Sequence, residues 1–134
     1  MAREYILDGT NVTSLESFFD EVSRALIPGA SWGKNLDAFN DILRGGFGTP
    51  EEGFRLRWKH SEFSREKLGY PETVRQLEKR LERCHPSNRK NVRNALNRAQ
   101  SGEGSTVFDW LVEIIGVHDV GGEESEDNVR LILD

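Results

Sequence analysis

The stretch Trp32-Gly33-Lys34-Asn35-Leu36-Asp37-Ala38-Phe39-Asn40-Asp41-Ile42-Leu43 reads as a loop feeding a short helix. Asn35 is a good first cap, because its side chain can accept from the free N–H groups of the opening turn. Leu36, Phe39, Ile42 and Leu43 recur at helical spacing and define a face to bury. Asp37, Asn40, Asp41 and Arg44 fall at i, i+3, i+4 and i+7 on the opposite, exposed face. Two like charges four apart repel by about 0.2–0.5 kcal/mol, which is easier to accommodate where a cationic group docks. The plainer explanation is that Asp37, in the first turn, is favoured by the helix dipole without any partner. Asp41, one turn further in, gains less from it.

Outward from this helix, helices alternate with three short strand patterns. Tyr5-Ile6-Leu7 is an apolar run ended by the turn signal Asp8-Gly9. Thr13 and Glu16 fit a capping box, ahead of a helical stripe of Leu15, Phe18, Phe19, Val22 and Leu26 that Pro28-Gly29 ends. Gly45-Gly46 stops the acidic helix. Phe54, Leu56 and Trp58 alternate with Arg55, Arg57 and Lys59, so this strand has one buried and one wet face. Pro71 suits a first helical position, with Val74, Leu77, Leu81 and Cys84 as the stripe up to the breaker Pro86. Ser87 can cap a further helix that turns Val92, Ala95, Leu96 and Ala99 inward, closed by Gly102 and Gly104. Thr106 with Asp109 is another capping box, followed by Val107, Phe108, Leu111, Ile114 and Ile115, with Trp110 at the margin and Glu113 on the opposite face. After an acidic, glycine-containing loop at 121–128, residues 129–133 form a last strand. Strands separated by helices predict an α/β fold with a three-stranded parallel sheet. The wet face of the middle strand predicts that helices cover one side.

A chain of 134 residues with 36% hydrophobic and 31% charged residues suits one globular domain, 1–134. No apolar run is long enough to span a membrane, and the first residues lack a signal-peptide stretch. A lone cysteine, Cys84, excludes an internal disulfide; together these features suit a reducing, cytoplasmic setting. The net charge of -5 is uneven: -3 over residues 1–50, +1 over 51–70, +5 over 71–100 and -8 over 101–134. An acidic surface speeds encounter with cationic partners and argues against nucleic acid as the ligand. The basic helical segment 71–100 holds no Phe, Trp or Tyr to stack on bases.

Enzymatic and metal-binding readings find little. His60, His85 and His118 lack paired Cys/His spacing, and neither HExxH nor GxSxG occurs. They read as surface or internally satisfied histidines. Gly45-Gly46-Phe47-Gly48 lacks the Lys and Ser/Thr of a phosphate loop and reads as a turn. No catalytic residue, metal or cofactor is expected.

The segment Ile27-Pro28, Trp32-Gly33-Lys34-Asn35-Leu36-Asp37-Ala38-Phe39-Asn40-Asp41-Ile42-Leu43 and Gly45 resembles the barstar family, intracellular protein inhibitors of secreted bacterial ribonucleases. The resemblance extends over about residues 4–60 and 103–134 and leaves 66–102 as an inserted helical segment. It implies a small three-stranded parallel sheet packed on helices. It further implies a non-enzymatic plug for the active site of a guanyl-specific type of ribonuclease, in a one-to-one complex with a monomeric inhibitor. Asp37 and Asp41 match the family's two helix carboxylates that mimic substrate phosphate, Asp41 being the one that meets the enzyme's arginines and histidine. Glu113 falls where the family carries a third acidic contact. Trp32, Gly33, Asn35, Leu36 and Gly45 match other positions of the binding loop and helix, and Arg44 and Gly46 complete that surface. Asn40 stands where a tryptophan is familiar, and Ser31 where a tyrosine is, which puts the target's identity in question; Phe47 can partly compensate. An adaptor or immunity protein for a different basic partner is the alternative. For the insertion, with Arg89, Lys90, Arg93 and Arg98, a solvated helical cap is favoured over a second contact with an acidic patch.

Overall fold

The middle strand organises the molecule. In the computed structural model, which describes residues 3–134, β2 (Phe54–Lys59) lies between β1 (Arg3–Asp8) and β3 (Val129–Leu133), and both pairings are parallel. Tyr5 pairs with Leu56, and Leu56 with Leu131. Phe54, Leu56 and Trp58 are fully buried, while Arg55 and Lys59 are exposed, as strict alternation requires. On the wet face Arg57 bridges the outer strands, pairing with Glu4 and Asp134 at 3.3 and 2.8 Å.

The helices gather on the other side. They are α1 (Leu15–Leu26), α2 (Leu36–Leu43), α3 (Ser61–Lys67), α4 (Tyr70–Arg83), α5 (Arg89–Gln100) and α6 (Val107–Val117). α1 and α6 lie against the strands, with α4 and α5 outside α6. The core beneath them is aromatic: Phe18 meets Phe39 edge-on at 5.2 Å, and Trp58 lies 5.2 Å from Phe18 and 5.0 Å from Phe108. Such offset and edge contacts add about 0.5–1.5 kcal/mol each beyond the area buried. Trp58 donates its indole N–H to Ser64, which donates in turn to the Gly9 carbonyl, so the buried polar atoms are satisfied.

Several local expectations change. α1 is capped by a reciprocal Ser14–Ser17 box, not by Thr13 and Glu16. The Ser17 hydroxyl accepts from the N–H groups of both Thr13 and Ser14, at 2.8 and 2.9 Å, and Glu16 is drawn to Arg75 and Lys79 of α4. α3 was not expected: its Ser-Glu-Phe-Ser-Arg-Glu-Lys sequence has no apolar stripe, and it buries Ser61 and Ser64 while Phe63 stays exposed. α5 lacks a side-chain cap; the Ser87 N–H instead donates to the His85 ring. Ala95 is exposed, leaving Leu96 and Ala99 as the buried residues of α5.

α4 and α5 pack on each other around Leu77, Leu96 and Ala99, with Tyr70, Val74, Leu81 and Trp110 alongside. α4 is also bonded into the main body. Glu72 accepts from the Leu15 N–H at 2.8 Å and so occupies an open donor of α1's first turn. The Thr73 hydroxyl accepts from the Val107 N–H at 2.9 Å and does the same for α6. No helix among the described residues is long and apolar enough to cross a membrane.

Candidate functional site

α2 forms where its sequence dictates. Asn35 accepts from the Ala38 N–H at 2.8 Å, Phe39, Ile42 and Leu43 are buried, and Asp37 and Asp41 are exposed. The helix closes through Arg44 and Gly45, whose φ of +91° is open to glycine at little cost. The Gly46 N–H returns to the Asp41 carbonyl at 3.0 Å. Thr49 donates to the Ile42 carbonyl at 2.6 Å and fixes the chain as it leaves the helix.

The loop before α2 is anchored rather than loose. Trp32 packs edge-on against Phe19 at 5.6 Å and donates its indole N–H to Ser23 at 2.6 Å. Its half-buried ring therefore spends much of its surface inside the protein. Ser31 and Gly33 are exposed beside it, and Lys34 pairs with Asp20 at 3.1 Å.

Asn40 departs from the exposed placement expected for it. It is half-buried, and its Oδ1 lies 2.6 Å from Nε2 of His118 at the end of α6. His118 is fully buried, and its Nδ1 lies 2.6 Å from an Asp127 carboxylate oxygen. An amide, an imidazole and a carboxylate thus run in line from α2 through α6 to the turn before β3. On an eight-residue helix packed against α6, the residue three beyond Asp37 faces the neighbouring helix rather than water.

Arg44 is the second departure. Its Nη1 reaches Asp41 at 3.2 Å, while Nη2 grips both carboxylate oxygens of Glu124 at 2.7 and 2.8 Å and Nε adds a bond at 3.0 Å. The guanidinium holds the Glu124 carboxyl below its usual range. Asp41 therefore carries a built-in counter-ion, whereas Asp37 and Glu113 have no ion-pair partner among the described residues. His118, Glu124 and Asp127 come close enough together to suggest a cation site. However, the short His118–Asp127 hydrogen bond and the Arg44 guanidinium already satisfy those groups.

Two recesses flank Leu36. One, of about 480 Å³, runs from Phe19 and Lys34–Asp37 to Lys79, Arg80 and Arg83 of α4. The other, of about 370 Å³, joins Leu36 to Trp110, Glu113 and Val117 of α6. Arg80 lines both, with its guanidinium 5.2 Å from the Trp110 ring centre. The structure thus gathers Asp37, Asp41, Arg44 and Glu113 on adjoining surfaces of α2 and α6 and sets Asn40 inward. It adds Arg80, Glu124 and His118, which sequence reading did not select. Only Arg80 left a signal: it follows Leu77 by three residues and so borders α4's apolar stripe. His118 and Glu124 lie 78 and 80 residues from their α2 partners, and no spacing links them.

No curated protein is similar enough to the chain to count as a match. The sequence model of the family described as Barstar (barnase inhibitor) matches residues 2–103, taking in the segment from β1 through α5 and stopping before α6 and β3. With three-quarters of its length inside that match, and with the three-stranded parallel sheet, the capped α2 and the paired carboxylates described above, the chain belongs to the barstar family.

Proposed function

We propose that this protein inhibits a small, secreted bacterial ribonuclease of the guanyl-specific type by occluding its active site with α2 and the loop before it. The observation that carries this reading is the pair Asp37 and Asp41, exposed one turn apart on a helix whose other face is fully anchored. A ribonuclease must hold a scissile phosphate with cationic side chains and balance its developing charge. Carboxylates on a rigid helix can take the same arginines through charge-assisted, bidentate bonds. Asp41 enters the phosphate site, Asp37 lies at its rim, and Glu113 of α6 supplies a third acidic contact. Ser31, Trp32, Gly33, Asn35, Leu36, Gly45 and Gly46 shape the surrounding surface. The complex is one-to-one, the free protein is a cytoplasmic monomer, and it carries out no catalysis of its own.

Calorimetric titration into barnase and related small ribonucleases, with RNA-cleavage assays alongside, tests this. Tight one-to-one binding with loss of cleavage, abolished by Asp41→Ala, is the expected result. Full cleavage at saturating protein across the set rejects it.

A second reading is favoured by Arg44. A phosphate mimic that carries its own counter-ion suits a less cationic target than an unpaired carboxylate would. An adaptor or immunity protein for another basic partner fits that chemistry, and partner identity separates the two.

A further inference from the structure

α4 carries four cations toward α1 and α2, and they are not equivalent. Arg75 is held by Glu16 and Glu72, and Lys79 lies 3.3 Å from Glu16. Arg80 and Arg83 have no carboxylate partner among the described residues, although both line the recess that contains Asp37. Arg80 also lines the recess that contains Glu113, and its guanidinium lies against Trp110. Around half-buried Leu36 there are thus two free carboxylates and at least one free guanidinium, close together yet forming no ion pair within 4.0 Å.

We infer that Arg80, with Arg83 beside it, is a carboxylate-binding edge of the docking face, so that the partner presents an acidic side chain between the cations that meet Asp37 and Glu113. This rests on the proposed docking role of α2 and specifies the partner's chemistry: a basic protein surface interrupted by a carboxylate. The α4–α5 pair is then part of the interface rather than a solvated cap. A guanidinium held against an aromatic ring is pre-oriented for a planar, bidentate carboxylate. Its charge also discriminates against a target that is cationic throughout, because like charges would then be forced together.

The test uses the full chain and two capped peptides, Arg-Glu-Arg-Glu and Arg-Gln-Arg-Gln, followed by NMR titration at about 0.01 M salt, where charges act over about 30 Å. The inference predicts that the Glu peptide binds about three- to tenfold more tightly, the size expected of one or two exposed charge pairs. On overall charge alone, an acidic protein would favour the Gln peptide. The advantage disappears in R80Q/R83Q and survives in K90Q/R93Q, with shifts centred on Leu36 and the Arg80 side chain. Equal affinity for the two peptides, or an advantage lost only in K90Q/R93Q, overturns the inference. The Asp41→Ala titration with ribonuclease is read separately, so the inhibitor reading can fail while the carboxylate edge stands, and the reverse.

Discussion

Arg44 grips Glu124 with a forked pair of bonds, at 2.7 and 2.8 Å, from one end of a guanidinium whose other end touches Asp41 at 3.2 Å. The loop before β3 thereby competes with Asp41 for the one guanidinium at the end of α2. Because Glu124 holds Arg44 bidentately, Asp41 receives only the weaker, single contact and keeps its second oxygen free.

Replacing Arg44 with Ala removes that carboxylate's counter-ion. The pairs lie at the surface and are screened by water, so stability changes little. The association rate with a cationic enzyme such as barnase rises about two- to fivefold at low salt and returns to the parent value at high salt. Stopped-flow mixing measures this; a slower association would show that Arg44 contacts the partner instead of screening Asp41.

Asn40 contributes to stability through His118. Asn40→Ala leaves a fully buried imidazole nitrogen without its partner, which costs about 1–3 kcal/mol. Urea unfolding reads this directly. A variant as stable as the parent would mean that the His118 ring satisfies itself elsewhere.

How legible these roles were depends on distance along the chain. The Asn35 cap, the Leu36–Leu43 stripe and the alternation of β2 are local patterns, and each appears where its period placed it. α3 follows β2 directly through His60 in the left-handed conformation, φ 54°. It buries Ser64, which accepts from the Trp58 indole, and Ser61, which donates to the Asp134 carbonyl, and nothing apolar announces it. Ser14, one residue after Thr13, caps α1, which makes Ser17 its box partner and leaves Glu16 to an arginine 59 residues away. The face on which Asn40 lies was likewise decided by His118, a long-range contact invisible to any local window.

The α4 attachment predicts a second stability effect. Thr73 is buried, donating to the Gly69 carbonyl and accepting from the Val107 N–H, both at 2.9 Å. Thr73→Val keeps the shape and removes the acceptor, stranding the first N–H of α6 at a cost of about 1–3 kcal/mol. Hydrogen exchange would show faster opening at the start of α6. Unchanged protection there would mean that another group caps the helix.

Glu72 and Glu16 make this attachment sensitive to acid. Burial alone would raise the Glu72 carboxyl, but Arg75, the Leu15 N–H and Gln76 outweigh it and hold it below its usual range. For Glu16 the same contest, burial against bonds from Arg75, Gln76 and Lys79, leaves its pKa at about 2, below the ordinary 4.5. In both cases the fold favours the ionised form. The stabilisation is therefore complete above pH about 4.5 and drains away as pH falls toward 2. Urea midpoints measured between pH 7 and 2.5 should decline through that window. Glu72→Gln should lower stability by about 1–3 kcal/mol at pH 7, since it removes one of the two carboxylates that hold Arg75 and leaves a neutral, weaker acceptor for the Leu15 N–H. It should also flatten the acid slope, because one of the two titrating groups is gone. A Glu72→Gln variant with the parent's acid slope would assign the effect to the solvated carboxylates and not to the α4 attachment.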